Sequence, residues 1–461
     1  MTRFVTRSTK VLAAAALALG LTQAPVKADV SMGIAEARQI AAASLAQGQP
    51  QLAAQIATGL LQRDPSDAYA HFVLARAFQQ MRQPKLARRQ AALAYRYADT
   101  GLGRYQASQL AATLAVESAQ PGMAQIWLRR SWNHAPDDRA REVLKRDYRV
   151  LRALNPWNVQ LRLSMAPSDN VNNGAEDPYA VIAGVPWVGV LSGDAMALSG
   201  LKMTGDLSLG YRFTQTDRSQ TRVKGRLYLS RVALSADARA QAPAAENSDF
   251  AYTKAELGLE HRRSLGKEAG LLSAELTLSR QWYGGQPLQN SLRIEGARVV
   301  PLAPGKQVQL SLAAERSQPE RGAPVTEMDL RASVSAKLSG GGTFSYGASL
   351  QMADSLYVNA RRQRATGFVA WGLPRPIGPA KVSLSLGGTV ADYPDYRVGP
   401  FVVPGGRQDH MLFGSADFVF ENLDYAGFVP SLKVQAQKTR SNVSRFETNE
   451  FSVSLGIVSR F

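Results

Sequence analysis

The apolar residues of the chain follow two different periods, and the change falls near residue 155. Between about residues 31 and 154, apolar positions recur at intervals of three and four, which is typical of amphipathic helices. After Trp157 apolar and polar residues alternate, beginning with Val159, Leu161 and Leu163. This change predicts a multidomain protein, with an α-helical domain over residues 29–154 followed by a β domain over residues 155–461.

The helical region contains an internal repeat. The dipeptide Gln-Pro recurs at offsets of 34 and 37, at Gln49-Pro50, Gln83-Pro84 and Gln120-Pro121. This is the period of a tetratricopeptide repeat, an array in which about three stacked copies bury the apolar face that one copy leaves exposed. The alternative is an ordinary helical bundle in which the recurrence of the dipeptide is a coincidence. In the middle copy, the residues that resemble the repeat are Leu74, Ala75 and Phe78 on its first helix and Ala87, Ala91 and Ala94 on its second.

The β region contains about fourteen alternating segments of roughly ten or more residues. Strands of this length cross a bilayer when tilted, whereas the strands of a soluble β-sandwich, the alternative fold, have about 5 to 6 residues. The connections tend to alternate between short turns and long polar segments, as in outer-membrane barrels. The short set includes 216–218, 302–305, 339–342 and 422–427, and the long set includes 167–199, 236–248, 317–326 and 393–407. The pattern predicts an antiparallel transmembrane β-barrel of about 14 strands.

Basic residues of this region fall on the polar parity of their strands. A charge on the lipid-facing side would cost about 2–4 kcal/mol near the bilayer midplane, so we expect these side chains to line a polar, net-positive lumen. The lumen-lining candidates are Arg222, Lys224, Arg226, Arg331, Lys337 and Lys433.

The N-terminus has the features of a secretory signal peptide. Basic Arg3, Arg7 and Lys10 precede a short apolar run, and small residues close the segment at Ala28. Eleven apolar residues are too few to cross a bilayer, so we predict that residues 1–28 are cleaved. The 54 Lys and Arg residues against 37 Asp and Glu then suggest an anionic lipid surface or a polar channel lining, with no nucleic acid as partner.

The sequence offers little for catalysis, metal binding or a cofactor. It has no cysteine, which excludes disulfides, thiolate metal sites and cysteine nucleophiles. Asp409 and His410 are adjacent in a predicted strand and therefore point to opposite faces, so they do not form a dyad directly. The run that begins at Asp169 resembles a calcium loop only faintly, because it lacks the closing acidic residue. We expect a protein that is not an enzyme and has no cofactor.

Several local motifs resemble one known family. The last strand ends in Phe461, which resembles the insertion signal of outer-membrane barrels and implies a barrel-assembly machinery as partner. Together with the helical repeats and the barrel, the chain resembles the surface lipoprotein assembly modulator (Slam) family over nearly its whole length. The local matches are Ser168-Asp169-Asn170-Val171-Asn172, Gly427-Phe428-Val429-Pro430, Ser441-Asn442-Val443 and Phe446.

The resemblance implies export. In that family the barrel helps a lipoprotein or secreted client across the outer membrane, and the helices in the periplasm engage the client. Two alternatives stay open on the sequence: an exopolysaccharide exporter, for which a basic lumen would suit an anionic polymer, and a passive porin with an accessory helical domain.

Overall fold

The computed structural model describes residues 32–183, 188–423 and 428–459. The predicted signal peptide and Phe461 lie outside these residues. In the described part of the chain, seven helices precede the first strand. They are α1 Ile34–Ala46, α2 Pro50–Arg63, α3 Ala68–Gln80, α4 Pro84–Tyr97, α5 Gly101–Glu117, α6 Pro121–Trp132 and α7 Asp138–Leu154.

The three Gln-Pro dipeptides all begin a helix. Pro50, Pro84 and Pro121 are the first residues of α2, α4 and α6, where the missing N–H of proline costs no intrahelical bond. The residue two positions before each proline has a positive φ, at Gly48, Arg82 and Ala119. The repeated dipeptide therefore corresponds to one helix–turn–helix geometry, used three times. The assignment of these helices to the tetratricopeptide class stays a prediction.

The first compact unit of the chain ends at Ala98 and contains α1–α4. Alanines fill its interior, because side chains this small let neighbouring helices approach closely, and Asp67 caps α3 by accepting from the N–H groups of Tyr69 and Ala70. The second unit begins at Asp99, inside the predicted helical domain, and contains α5–α7 and all the strands. Of the predicted repeat positions, Leu74, Ala75, Ala87, Ala91 and Ala94 are buried and Phe78 is partly buried.

Fourteen of the described strands form a closed antiparallel barrel, in which each strand pairs with its neighbours in sequence and the last pairs with the first. The predicted fold class, helices followed by an antiparallel barrel of about 14 strands, is confirmed. The strands are β1 Trp157–Ser168, β2 Gly200–Gln215, β3 Ser219–Leu234, β4 Tyr252–Gly266, β5 Gly270–Tyr283, β6 Gln286–Ala303, β7 Lys306–Pro319, β8 Val325–Lys337, β9 Thr343–Ser355, β10 Arg362–Gly372, β11 Lys381–Tyr393, β12 Arg407–Val419, β13 Phe428–Ser441 and β14 Thr448–Ser459.

The two ends of the barrel differ in their connections. At the end where β1 begins and β14 ends, the strands are joined mainly by short turns, such as 216–218 and 304–305. The opposite end, which we call the long-loop end, carries 169–199 and 394–406, each with a small two-stranded hairpin, and 235–251 with a short helix at Ala236–Gln241. The described residues of the four short and four long segments identified in the sequence therefore lie at opposite ends of the barrel.

The outer surface of the barrel is apolar. Leucines such as Leu257, Leu312 and Leu455 are more than half exposed, as expected where lipid instead of protein covers them. Closure pairs the backbone of the strands with one another, so most of it is satisfied without water. These two properties are those of a barrel that spans an outer membrane. Among the described helices, none combines the length and the apolar character that a bilayer crossing requires.

Candidate functional site

The lumen wall formed by β2–β8 carries paired charges. Arg226 of β3 donates to both carboxylate oxygens of Asp206 on β2, at 2.9 and 2.8 Å, and lies 3.4 Å from Glu256 on β4. The cross-strand register places Arg226 opposite Ser208 and Glu256, and Asp206 lies two residues from Ser208, on the same inward face of β2. Arg226 thus meets an acidic partner on each of the two adjacent strands.

A second group of charges lies further along the same inward face, towards the beginning of β3. Lys224 donates to Glu275, two strands away on β5, at 2.6 and 2.7 Å. Arg222 pairs with Glu260 on β4, whose other oxygen accepts from Arg262 at 3.0 Å. Only 4% of the Glu260 surface is exposed, so its charge is stabilised by these cations instead of water.

A third group lies further round the wall. Arg293 of β6 contacts Glu295 at 3.0 Å, Glu315 at 3.5 Å and Asp329 at 3.1 Å. Asp329 also accepts from Arg331 at 3.3 Å. The cations predicted from the sequence are therefore accompanied by carboxylates of the same parity on neighbouring strands, and the sequence reasoning missed the acidic half of the network.

The six predicted lumen residues do not form one site. Arg222, Lys224 and Arg226 lie side by side on β3 and line one hollow of about 540 Å³. Arg331 belongs to the group around Asp329, and Lys433 on β13 lies 3.8 Å from Asp417. Lys337 is the last residue of β8, beside Gly305 in the turn between β6 and β7.

On the wall formed by β9–β12, two aromatic rings lie over glycines of the neighbouring strands. The ring of Phe413 on β12 covers Gly387 of β11, where a Cβ would lie 2.4 Å from a ring carbon. In the same way Phe368 covers Gly347, with 2.8 Å between a ring carbon and the position of a Cβ. Glycine is required at both positions because the ring occupies the side-chain space.

The barrel closes through a short ladder between β1 and β14. Within the described residues, four residues of β1, Arg162–Met165, pair with β14, whereas β1 pairs with β2 along its whole length. The N–H of Leu161 faces β14, since it donates to the Ser459 hydroxyl at 3.0 Å. The backbone N–H groups of successive residues point to opposite sides of a strand, so the nitrogen of Pro167, six residues after Leu161, also faces β14. Proline has no N–H, so this position cannot donate a hydrogen bond to β14. We call this junction the seam.

Loop contacts hold the seam at the long-loop end, where the ladder is missing. The N–H of Val181 donates to the Ser444 hydroxyl at 2.8 Å, and that hydroxyl donates to the Tyr179 carbonyl at 2.9 Å. The N–H of Ala183 donates to the Asn442 carbonyl at 3.0 Å. The loop after β1 is therefore attached to the loop before β14, and we call these contacts the loop bridge.

A buried cluster supports the loop bridge. Ile182, next to the bridge, packs with Val443, and both are 1% exposed. The Arg407 guanidinium lies 3.2 Å from the centre of the Phe446 ring, 4.4 Å from that of Tyr393, and pairs with Asp409. Several residues that carry the family resemblance, from Asn442 to Phe446, therefore meet at the mouth of the barrel.

An apolar cavity lies at the other end of the seam. It has a volume of about 1070 Å³ and is bounded by α5–α7, the beginning of β1 and the end of β14. Met123 and Ile126 of α6 and Trp157 and Val159 of β1 are exposed in it. Hydrogen bonds fix its walls, because Asn155 donates to the Gln125 side chain at 2.8 Å and Arg212 donates to the Ala153 carbonyl at 2.6 Å.

The structure gives the remaining motifs structural roles. Asn170 and Gly174 exchange two hydrogen bonds of 2.8 Å, and Asn172 bonds the backbone of Met196 and Leu198, so these residues brace the loop after β1. The described part of the chain contains no group of three or more His, Cys, Asp or Glu residues placed to hold a metal ion.

Comparisons with known proteins show no family for this chain. No family model matches the chain, and no curated protein matches it. OprB from Pseudomonas putida is 10% identical with a TM-score of 0.39, over 68% of this chain and 96% of that one. An outer membrane channel from Pseudomonas putida F1 is 13% identical with a TM-score of 0.34, over 66% and 96%. The type III secretion translocator chaperone SycD from Yersinia enterocolitica is 17% identical with a TM-score of 0.23, over 26% and 81%.

Proposed function

We propose that the chain is an outer-membrane translocator that assists the export or surface display of a lipoprotein or secreted protein client. The helices lie in the periplasm and bind the client, and the barrel passes it. Outer-membrane lipid and a barrel-assembly machinery are the further partners, and the protein is not an enzyme. The resemblance of its motifs to the Slam family is one support for this assignment.

The observation that carries the proposal is the seam. A closed barrel whose first and last strands share four paired residues has one junction that separates at a lower cost than the others. The apolar cavity adjoins one end of this junction, through Trp157 and Ser459, and the loop bridge adjoins the other. A polypeptide held in the cavity would thus be next to the junction through which it leaves.

The charge pairing of the lumen argues against the polysaccharide alternative. Lumen cations that bind an anionic polymer should be free, yet Arg222, Lys224 and Arg226 each contact a carboxylate. The passive porin makes a different prediction, since its lumen conducts without a client. Single-channel recording of the purified protein therefore distinguishes that alternative from export.

A photo-crosslinking experiment tests the assignment of the helices. A photoactivatable amino acid is placed at Met123 in the cavity and, as a control, at Val143, which is exposed on α7 outside it. We expect Met123 to capture a periplasmic protein that Val143 does not capture.

A deletion then relates the captured protein to export. Removing residues 31–150 while retaining the leader should leave an inserted barrel that no longer displays this client on the cell surface. Undiminished display by the truncated protein would contradict the proposed role of the helices.

A further inference from the structure

The outer wall of the barrel has a groove where small residues replace leucine. The small residues stand on neighbouring strands and leave a hollow of about 670 Å³, walled by Leu350, Val390 and Leu412. A second hollow of about 410 Å³ shares Leu350 and Val390 with the first, so the two form one depression, which we call the wall groove. The small residues are Ala348, Ala365, Gly367 and Gly388.

The wall groove runs towards the long-loop end of the barrel. Met352, Gln363 and His410 line its smaller hollow and lie within four residues of the strand ends that join the long-loop side. The depression therefore lies in the half of the apolar surface next to those loops, where the acyl chains of one leaflet cover it.

Two cations stand at the edge of the wall groove. Lys438 and Arg440 line the larger hollow, and both point outward from β13 close to its end at Ser441. Their partners on β12 are Leu412 and His410, and the partner of Lys438 on β14 is Asn449, so none of these neighbours is acidic. The described lining of the larger hollow includes no Asp or Glu, whereas the lining of the smaller hollow includes Asp392.

Other outward-facing arginines towards the same end of the barrel have partners. Arg231 donates to the Tyr252 carbonyl at 2.8 Å, Arg316 donates to the Thr326 hydroxyl at 3.0 Å, and Arg280 lies 4.0 Å from Glu320. Among the residues that the structure describes, no ion pair joins Lys438 or Arg440 to a carboxylate. Lys438 and Arg440 thus stand beside the part of the wall that is hollowed by Gly367, Gly388 and Ala365.

We propose that the wall groove binds one molecule of lipid A, an anionic phosphorylated lipid, with a phosphate at Lys438 and Arg440 and an acyl chain in the hollow. Cationic side chains at a membrane surface attract anionic headgroups, and a chain that lies along Gly367 and Gly388 fills space that the barrel leaves empty. The site is independent of any client, because it faces lipid on the outside of the barrel.

Native mass spectrometry of the full chain tests the site. The protein is released from nanodiscs of phosphatidylcholine that contain a few per cent of lipid A. We expect the wild type to retain one lipid A molecule. The double variant K438Q/R440Q should retain it about tenfold less or worse, since each cation near a headgroup is worth about a factor of five in binding. The matched control R280Q/R316Q removes the same charge elsewhere on the wall and should retain lipid A as the wild type does.

A second variant tests the hollow separately from the charges. No atom lies within 4 Å of the position of a Cβ at Gly367, so Gly367→Leu fills the groove without displacing the barrel. We expect it to weaken lipid A retention while the protein keeps its heat-modifiable mobility on gels, which reports an intact barrel. The proposal is overturned if the wild type retains lipid A no better than phosphatidylcholine, if R280Q/R316Q loses as much as K438Q/R440Q, or if Gly367→Leu binds as the wild type.

Discussion

Met165 of β1 stands opposite Leu455 of β14, and in the described part of the chain it is the last residue of β1 that has a partner on that strand. Two residues further, Pro167 pairs with Leu201 on β2 but has no N–H to offer to β14. The closing junction of the barrel is therefore shortened by a residue type that a central strand rarely contains.

A disulfide across this pair should block export. The chain has no cysteine, so M165C/L455C introduces the only two thiols, and facing residues of an antiparallel pair lie within disulfide range. If the client leaves through the seam, the oxidised variant should insert normally but display no client, and reduction should restore display. Surface labelling of the client on whole cells measures both states.

A second disulfide provides the control for this experiment. Met328 and Met352 also face each other, on β8 and β9, which pair along their whole length. The oxidised M328C/M352C variant should display the client as the wild type does. Normal display by oxidised M165C/L455C would show that the seam stays closed during export.

The loop bridge predicts the opposite effect at the same junction. The Ser444 hydroxyl accepts from the Val181 N–H and donates to the Tyr179 carbonyl, and Ser444→Ala removes both bonds. We expect the variant to show more frequent or larger current fluctuations in planar bilayers, because the loop bridge then keeps only the hydrogen bond between Ala183 and Asn442. Ser383→Ala, on β11 away from the seam, is the matched control variant. Equal current fluctuations in the two variants would contradict the role of the loop bridge.

The glycine under Phe413 should be sensitive to substitution. Gly387→Val places a side chain where the aromatic ring lies, and such overpacking typically costs about 1–3 kcal/mol. At Gly296, also on a barrel strand, the position of a Cβ is free of neighbours, so Gly296→Val should change the free energy of unfolding by less than about 0.5 kcal/mol. Urea titration of the folded barrel, followed by mobility on gels, compares the two variants.

The ion pair between Arg226 and Asp206 should show coupling in a double-mutant cycle. The pair is bidentate, but nearly half of the Arg226 side chain is exposed to water. Screening by that water limits the coupling to about 1 kcal/mol. Urea titrations of R226Q, D206N and the double variant measure it, and strictly additive effects would mean that the pair contributes nothing to stability.

The residues explain why part of this molecule could be predicted and part could not. Alternation such as that of Val159, Leu161 and Leu163 is a property of each strand alone, so the barrel and its even strand number follow from the sequence. The partner of Lys224 is different, because Glu275 lies two strands away and joins it only through the register of β3, β4 and β5. Acidic residues of the same parity on neighbouring strands were the signal available for this network.

The seam and the apolar cavity show the same limit. Pro167 is visible in the sequence, but its effect depends on which side of β1 its amide would face, and that is set by the closed sheet. The cavity arises because α6 lies beside the beginning of β1, which joins Met123 to Trp157 across segments of different period. Local periodicity carries no information about such a juxtaposition.

The turn before α4 offers a stabilising substitution in the helical region. Arg82 has a φ of 56° and its N–H donates to the Gln79 carbonyl at 3.0 Å, while the next N–H, of Gln83, donates to the Phe78 carbonyl at 2.9 Å. This is the Schellman arrangement, in which glycine is favoured because a Cβ strains the left-handed conformation by about 1–2 kcal/mol.

Arg82→Gly should therefore stabilise the end of α3 by about 0.5–1 kcal/mol, after the greater flexibility of glycine in the unfolded chain is subtracted. The corresponding turn before α2 already has Gly48 with a φ of 72°, which makes Gly48→Ala the reverse control and predicts a loss there. Hydrogen–deuterium exchange of the full-length protein reads out both turns. Slower exchange near Gln83 in the first variant and faster exchange near Gln49 in the second are the expected results, whereas unchanged exchange in both would show that the positive φ carries no strain.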